Sequence, residues 1–333
     1  MARSPWLLAC RSGLRAATRP APLAGPRIAF QDSSLRPLQR LLSGEAAAVP
    51  SLGAEVAGSA TGPSPLAGLP LSFGFSAGGL LFPYLVGAAY ALNEAGLLTE
   101  DTKVAGASAG SLIAGCFHSG VTKEGLMEGC QRVTVDCREN GTRGRLKAVL
   151  ADVLDDILPD DCHTRCSGRA YIAVTEVYPR YRGTLLSEFH SRADLMNSML
   201  TSCHIPWWFD STFFSSFRKG MFADGGATNL IPTAPQTRPV RICCFPVKGW
   251  GDGLNVDIAP DTFRECKYSM GQMVSWAFQP PEADEIMWDL AEMGKEDALS
   301  FAAARPLVVA SDSGVEATLT VVSRLRTMFA SKT

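Results

Sequence analysis

Two segments of the sequence read Gly-x-Ser-x-Gly, and each joins an apolar stretch to a run of helix-forming residues. The first segment, residues 74–78, is centred on Ser76, and the second, residues 106–110, is centred on Ser108. Glycines two positions away on each side suit a sharp turn from a strand into a helix, where larger side chains would collide with neighbouring elements. The pattern therefore predicts strand-to-helix turns, and it makes one of the two serines a candidate nucleophile.

The rest of the chain alternates short apolar strands with amphipathic helices. Strands are predicted at residues 69–75, 103–106, 169–178, 183–189, 220–223 and 239–247, and helices at residues 82–95, 109–120, 123–132, 145–157, 194–203, 284–304 and 315–329. Alternation of this kind is typical of a parallel sheet with helices on both faces. The sequence thus predicts an α/β fold of three layers, α/β/α, with a mostly parallel central sheet.

The composition is that of a globular protein and argues against two classes of function. Of the 333 residues, 46% are hydrophobic and 19% are charged, and the net charge of −2 gives no basic footprint for nucleic acid. The longest apolar run, residues 80–92, is too short to cross a bilayer and contains Pro83. We therefore expect no nucleic-acid partner, and we expect any contact with a membrane or a lipid-droplet surface to be peripheral.

The N-terminal part of the chain differs in composition from the rest. Residues 1–40 contain seven arginines, no lysine and a single acidic residue, Asp32, together with many serines, alanines and prolines. This composition is typical of an organellar transit peptide, and the low-complexity segment after it cannot bury a core. We predict a transit peptide and disordered linker over residues 1–68, directed to a plastid in preference to a mitochondrion, and a folded domain over residues 69–333.

The ten cysteines do not show the spacing of a disulfide framework, and several lie in apolar segments. We therefore expect buried free thiols in a reducing compartment. One group, Cys162-His163-x-x-Cys166, could suggest a metal site, but the sequence has no second pair of ligands at a suitable spacing. The sequence predicts neither a metal nor an organic cofactor.

The turn that follows each serine favours Ser108 as the nucleophile. A helix can begin immediately after Ser108, which places its hydroxyl where backbone amides and the helix dipole favour developing negative charge. Ser76 is followed by a looser glycine-rich loop, whose free N–H groups suit an oxyanion hole better than a rigid nucleophile. We therefore predict Ser76 as a loop residue, and an oxyanion hole formed by the N–H groups of Gly78, Gly79 and Ala109.

A serine nucleophile needs a base, and the distribution of histidines limits the choice. None of the four histidines follows residue 204, whereas the usual hydrolase triad ends with a late histidine. Asp224 is the better candidate, because it ends an apolar stretch and is followed by Gly225 and Gly226, which leave room for another backbone to approach. Three histidines remain as alternative bases, namely His163, His190 and His204. His118, ten residues after the serine, is the weakest alternative.

These motifs, in this order, resemble those of the patatin-like phospholipase family, and most closely the branch that contains adipose triglyceride lipase. The resemblance is carried by the segments LSFGFSAGGLLFPYLVGAAYAL, GASAGSLIAG, LPDDCHTRCSGRAYIAVTEV, TSCHIPWWF and FADGGATNLIP. It implies a patatin-like fold with its core at about residues 71–247, and we expect a helical C-terminal extension at residues 260–333.

The family uses a Ser–Asp dyad without histidine, so the resemblance implies Ser108 as the nucleophile and Asp224 as the base. The glycines of the two motifs are Gly106, Gly110, Gly225 and Gly226. The oxyanion loop departs from the family pattern Gly-x-Gly-x-x-Gly, since this chain has Ala77, Gly79 and Phe82 there. An apolar residue also stands at position 81, where plant and bacterial members tend to carry a basic one, and this favours the neutral-lipid branch.

The resemblance implies hydrolysis of a fatty-acyl ester in a lipid, which is an acylglycerol, a phospholipid or a galactolipid. Two other functions remain open. A lipid transacylase would use the same dyad to pass the acyl group to another lipid. A catalytically inactive lipid-binding or regulatory protein would keep the fold without the reaction.

Overall fold

Seven strands and eight α-helices follow one another in residues 68–248 and 255–304, the residues that the computed structural model describes. The strands are β1 (Leu71–Phe75), β2 (Lys103–Ala107), β3 (Ala170–Tyr178), β4 (Arg182–Leu186), β5 (Ser215–Phe217), β6 (Gly220–Asp224) and β7 (Arg238–Ile242). The helices are α1 (Phe82–Glu94), α2 (Ala109–His118), α3 (Lys123–Asn140), α4 (Leu146–Ile157), α5 (Cys162–Cys166), α6 (Arg192–Ser202), α7 (Met270–Phe278) and α8 (Asp284–Ala304). The predicted transit peptide and linker, apart from Gly68, and the predicted helix at residues 315–329 lie outside these residues and stay predictions.

The strands form one mixed sheet in the order β5-β6-β3-β2-β1-β7, and β4 also pairs with β3. The neighbouring strands β3, β2, β1 and β7 run parallel. The pairings of β3 with β4, of β3 with β6 and of β5 with β6 are antiparallel. The predicted α/β fold, with helices on both faces of a sheet whose centre is parallel, is confirmed. The antiparallel edge and the short strand β5 were not predicted from the sequence.

The parallel strands are buried, as strands covered by helices on both faces must be. In β1, Phe73 and Phe75 are completely inaccessible to solvent, and in β2 Val104 and Ala105 are as well. Because successive side chains of a strand face opposite sides of the sheet, burial of the adjacent Val104 and Ala105 means that both faces are covered. A near-continuous apolar run, rather than strict alternation, is therefore the pattern of these strands.

The observed helices differ from the predicted ones mainly in length. The predicted helix at residues 123–132 is too short, because α3 continues to Asn140. Its buried stripe continues through Val133 and Cys137, which extends the apolar spacing by two more turns. Helix α5 was missed, and α7 was not predicted as a separate helix within the expected helical extension, although Ser269 and Gln272 form a capping box at its start. None of the helices in the described residues is long and apolar enough to span a membrane.

Helix α8 packs closely on α1. A Cβ atom added to Gly294 would lie closer than 3.0 Å to the carbonyl of Tyr84, so the two backbones approach where only glycine fits. The hydroxyl of Tyr84 donates a hydrogen bond of 2.9 Å to buried Asp297. Arg264 lies 3.2 Å from the same carboxylate, which balances part of its buried charge. The helix after the sheet is therefore joined to the core by both packing and polar contacts.

Candidate active site

Ser108 lies at the turn between β2 and α2 in a strained backbone conformation. Its φ of 50° and ψ of −120° fall in a region that residues with a side chain rarely adopt. The surrounding hydrogen bonds hold it there. The Ser108 N–H donates to Ser202 Oγ at 2.8 Å, and the hydroxyl of Ser111 donates to the Ser108 carbonyl at 2.6 Å. The side chain of Ser108 therefore stands at the N-terminus of α2 in a fixed position.

The glycines of this motif are required because backbones meet there. A Cβ atom on Gly106 would lie closer than 3.0 Å to the carbonyl of Gly110, and one on Gly110 would lie as close to the carbonyl of Phe75. The Gly110 N–H also donates to the carbonyl of Ser76 at 3.1 Å. The first turn of α2 thus packs directly against the end of β1, and the glycine-rich loop that follows β1 begins beside Ser108.

Asp224 ends β6, and its main chain is held on both sides. Its N–H donates to the carbonyl of His204 at 2.8 Å, and its carbonyl accepts from the hydroxyl of Thr175 at 2.7 Å. In the carboxylate, Oδ1 accepts from the Gly226 N–H at 2.7 Å, whereas Oδ2 is buried without a hydrogen-bond partner. The Ser108 hydroxyl is the neighbouring side chain that lowers the pKa of this carboxyl. The structure thus brings Ser108 and Asp224 together, with one carboxylate oxygen free to accept a proton.

Burial makes Asp224 a stronger base than an ordinary aspartate. It raises the pKa of Asp224 to about 6, and the nearby Ser108 hydroxyl and the Gly226 N–H oppose only part of this rise. A carboxylate with this pKa is mostly deprotonated at neutral pH and still holds a proton well enough to return it.

The raised pKa predicts the pH dependence of activity. With Asp224 as the expected base, its deprotonated form carries the activity, and we expect kcat/KM to fall about tenfold per pH unit below about pH 6 and to level off above it. The measurement is kcat/KM with a water-soluble ester from about pH 4 to about pH 8, with thermal unfolding followed at each pH. An activity that stays constant down to the ordinary range of aspartate, in a folded protein, would contradict a buried carboxylate base.

Two of the three predicted oxyanion donors, Gly79 and Ala109, line the pocket together with Ser108, whereas Gly78 does not line it. Gly79 begins a one-turn 3-10 helix (Gly79–Leu81) and Ala109 begins α2, so neither N–H has an acceptor within its own helix. In the described part of the chain, no hydrogen bond uses the N–H of Gly78, Gly79 or Ala109. Gly79 has a φ of 54°, and a Cβ there would collide with the carbonyl of Ala277 in α7. The amides of Gly79 and Ala109 are therefore available to a ligand in the pocket, and α7 confines the loop at Gly79.

The loop's departures from the family pattern have distinct surroundings. Ala77 donates its N–H to the carbonyl of Leu230 at 3.0 Å, and its methyl group faces Gly226, which follows the base. Phe82 is the first residue of α1, and its side chain lines the pocket described below. Leu81 is completely buried. The side chains of Leu81 and Phe82 are thus accommodated by apolar packing.

Ser76, the serine of the other Gly-x-Ser-x-Gly motif, is held in the core by hydrogen bonds. Ser76 is completely buried, and its hydroxyl accepts a hydrogen bond of 3.2 Å from the N–H of Cys244. Its own N–H donates to the carbonyl of Ile242 at 2.9 Å. Ser76 therefore joins the end of β1 to the segment after β7, as a loop residue would, and it does not line the pocket.

The side chains of the alternative bases have other partners or surroundings, although the main chain of His204 adjoins Asp224. No hydrogen bond or ion pair of the described residues joins a histidine side chain to Ser108 or Asp224. The buried ring of His204 lies 3.9 Å from Asp210, and burial lowers the pKa of this histidine. His118 ends α2, His163 lies in α5 and His190 is exposed.

An apolar pocket of about 790 Å³, part of it open to solvent, begins at Ser108. Its walls come from α1 to α4, the glycine-rich loop, α7 and the segment after α6. The lining residues are Gly79, Leu80, Phe82, Ser108, Ala109, Leu112, Cys116, Leu126, Gly129, Cys130, Val133, Leu146, Leu150, Val153, Leu154, Ile157, Cys203, Ile205, Trp208, Phe209 and Ala277. Apart from the hydroxyl of Ser108, thiols and one indole, the lining is hydrocarbon. Such a pocket suits a long apolar group.

Sequence reasoning missed two residues at this site. Ser202 accepts from the Ser108 N–H and donates to the carbonyl of Ala173 at 2.6 Å, so it ties the strained turn to β3. Cys203 lines the pocket, and burial raises the pKa of its thiol well above the usual range. Both lie in the segment TSCHIPWWF, which carries part of the family resemblance but gives no local sign of contact with Ser108.

The cysteines proposed and rejected as metal ligands lie in the core. Cys162 and Cys166 are buried at the two ends of α5, and the thiol of Cys166 donates to the carbonyl of Gly115 at 3.2 Å. The nine cysteines between Cys116 and Cys266 are free thiols. Within residues 68–248 and 255–304, no group of three potential ligands is placed to hold a metal ion.

Known proteins resemble this chain at the level of sequence. A family model described as Patatin, patatin-like phospholipase, matches residues 75–235. Human patatin-like phospholipase domain-containing protein 4 is 32% identical over 252 residues, which cover 69% of this chain and 96% of that protein. The 1-acylglycerol-3-phosphate O-acyltransferases Pnpla3 of mouse and PNPLA3 of human are 28% and 27% identical over 244 residues.

The extent of these matches differs. Both acyltransferase alignments cover 69% of this chain, but they cover only 58% of the mouse protein and 50% of the human one. The chain thus spans about half the length of these two relatives and nearly all of the human domain-containing protein 4. The family model spans both Ser108 and Asp224. On these grounds the chain belongs to the patatin-like phospholipase family.

Proposed function

We propose that this protein is a lipid acyl hydrolase that cleaves fatty-acyl esters with Ser108 as nucleophile and Asp224 as base. The observation that carries the proposal is the position of Ser108. Its hydroxyl stands at the start of an apolar pocket, beside a buried carboxylate whose pKa burial raises to about 6. An apolar pocket selects the acyl chain, and the adjacent base activates the hydroxyl.

The proposed reaction has two halves. Ser108 Oγ attacks the ester carbonyl carbon while Asp224 Oδ2 accepts the hydroxyl proton. The oxyanion that forms accepts hydrogen bonds from the N–H groups of Gly78, Gly79 and Ala109. The intermediate then expels the alcohol, which takes the proton from Asp224 and leaves an acyl group on Ser108. In the second half, Asp224 deprotonates a water molecule, which attacks the acyl group. The second intermediate then releases the fatty acid, and the proton on Asp224 returns to Ser108 Oγ.

The lining of the pocket supports a lipid substrate but does not favour a particular head group. Leucine, isoleucine, valine and aromatic side chains make up most of its walls, so the substrate group that it encloses must be apolar. No charged side chain lines it, so a phosphate or other ionic head group would stay outside. An acylglycerol, a phospholipid or a galactolipid would each place an acyl chain in the pocket and its head group at the opening.

A second candidate is transfer of the acyl group to another lipid. The name of the two relatives matched over half their length, 1-acylglycerol-3-phosphate O-acyltransferase, favours considering it. A lipid alcohol in place of water in the second half of the reaction would give this activity with the same residues. The third candidate, a lipid-binding protein without catalysis, requires no turnover of any ester.

Product analysis separates the three functions. The protein would be incubated with acyl-labelled triacylglycerol, phosphatidylcholine and galactolipid, each with and without an unlabelled monoacylglycerol or lysophospholipid as acceptor. We expect labelled free fatty acid, because water has access to the open pocket, and we expect none with Ser108→Ala. Label that moves mainly to the acceptor would identify a transacylase. Absence of both products, with retained lipid binding, would identify a non-catalytic protein.

A further inference from the structure

The segment that forms one side of the pocket also exposes two large aromatic side chains. In residues 205–214, here called the aromatic loop, Ile205, Trp208 and Phe209 line the pocket. Trp207 and Phe213 point outward instead and are 51% and 47% exposed. Their rings contact each other edge to face, with centroids 5.9 Å apart. The aromatic loop therefore presents an apolar pair to solvent next to the pocket that holds the acyl chain.

This presentation is built into the fold. Trp207 has a φ of 62°, a conformation that costs energy for a bulky residue. Its N–H donates to the carbonyl of Thr212 at 3.0 Å, which closes the aromatic loop on itself. The N–H of Thr212 donates to Asp210, and Lys147 donates to the other oxygen of that carboxylate at 2.8 Å. The loop is thus held in a fixed shape while its two aromatic side chains remain in water.

The aromatic loop is also tied to the start of α4. The Gly144 N–H donates to the carbonyl of Trp208 at 2.6 Å, and the Lys147 N–H donates to the carbonyl of Phe209 at 3.0 Å. The Trp208 ring packs on Phe278 of α7 on one side. The guanidinium of Arg143 lies 6.0 Å from the same ring. Neighbouring elements thus cover much of Trp208, whereas Trp207 stays exposed.

We propose that Trp207 and Phe213 insert into the head-group layer of a phospholipid membrane and hold the opening of the pocket against it. Tryptophan favours this layer because its ring is apolar and its N–H is polar. An acyl chain that leaves the bilayer beside the aromatic loop reaches Ser108 along Ile205 and Trp208 without crossing water. The proposal deepens the proposed function, since it gives the site the surface from which a lipid substrate enters.

Apolar contact rather than charge should dominate this attachment. Two basic residues beside the aromatic loop are paired with carboxylates, Lys147 with Asp210 and Arg145 with Asp136 at 2.9 Å, and Arg143 lies over the Trp208 ring. We therefore expect binding to zwitterionic vesicles, with little loss in 1 M salt, where the Debye length is about 3 Å.

The test compares two variants of the full chain on phosphatidylcholine vesicles. The first is Trp207→Ser with Phe213→Ser. The matched control is Trp288→Ser, which changes a tryptophan of α8 that is 49% exposed. Binding is measured by vesicle flotation and by the blue shift of tryptophan fluorescence. We expect the wild type and the control to bind. The double variant should bind at least about tenfold more weakly, because two apolar side chains no longer leave water.

A water-soluble short-chain ester separates this proposal from the proposed function. The double variant should hydrolyse it at the wild-type rate, because neither substituted residue lines the pocket, and should lose activity only on vesicles. Equal vesicle binding by the double variant and the wild type would overturn the proposal, and so would a wild type that does not bind. If the substitutions instead abolish self-association measured by sedimentation, the aromatic pair is a contact between copies of this chain and the proposal is wrong. A wild type that binds vesicles but does not hydrolyse the short-chain ester would count against the proposed function alone.

Discussion

Replacing Ser108 by alanine is expected to lower kcat for ester hydrolysis by at least about 10³-fold, because no acyl-enzyme can form without the hydroxyl. Asp224→Ala is expected to cause a loss of similar size, since it removes the carboxylate that lies beside the hydroxyl. The double variant should lose little more than either single variant, because the two side chains act as a unit. The measurement is kcat with a soluble ester, together with covalent labelling of Ser108 by a fluorophosphonate.

Four variants serve as controls for this result. Ser76→Ala should remain active, because the Ser76 hydroxyl is occupied by Cys244 in the core. The histidine variants His163→Ala, His190→Ala and His204→Ala should retain most activity, with folding checked by circular dichroism since His204 is buried. A folded histidine variant as inactive as Ser108→Ala would show that this histidine takes part in catalysis, and the site would then be a triad. Labelling of Ser76 instead of Ser108 would identify the other motif as the nucleophile.

Gly110→Ala is expected to reduce kcat/KM by about 10²-fold, although it adds only one methyl group. The new Cβ would collide with the carbonyl oxygens of Phe75 and Ser76, both within 3.0 Å. Since these are backbone atoms at the end of β1 and directly after it, the first turn of α2 must move and take Ser108 with it. A displacement of about 1 Å at a catalytic group costs roughly this factor. The strain should also lower the free energy of unfolding by about 1–3 kcal/mol.

Gly271→Ala is the matched control for this substitution. Gly271 also lies in the first turn of a helix, α7, but a Cβ there meets no atom within 4 Å. We expect unchanged kcat/KM and equal or slightly higher stability, because alanine favours a helix by up to about 1 kcal/mol over glycine. Both variants are compared by steady-state kinetics and by denaturant unfolding. A Gly110→Ala protein with wild-type kinetics would show that Ser108 does not depend on close packing of α2 against β1.

Much of the fold was predictable because its signals are local. The helix predicted at residues 284–304 has the bounds of α8, and Ser108 lies at the turn where glycine spacing predicted one. The antiparallel edge was not predictable in this way. Strand β5 has only three residues, Ser215–Phe217, and its pairing with β6 depends on a turn through Arg218 and Lys219, which adopt positive φ without being glycine. Short strands of mixed polarity carry too few residues for a periodic pattern.

The candidate site was likewise predictable where its signals are local in sequence and not where they depend on distant residues. The glycines beside Ser108 and Asp224 can be recognised from sequence because each motif is continuous. The support from Ser202 cannot, because it acts on a backbone N–H 94 residues away through a single hydrogen bond. The raised pKa of Asp224 also follows from burial by several elements, which no segment of sequence displays alone.

The contacts of β7, α7 and α8 bear on where an autonomous unit of this fold ends. The family match stops at residue 235, ahead of all three elements. A chain cut there would leave β1 without the neighbour that pairs along its whole length, which is an open edge prone to aggregation. It would also uncover the side of α1 on which Gly294 packs and remove the Ala277 carbonyl that confines Gly79. We therefore expect a chain that ends at residue 235 to fold poorly, and the glycine-rich loop after β1 packs on residues that the family match does not include.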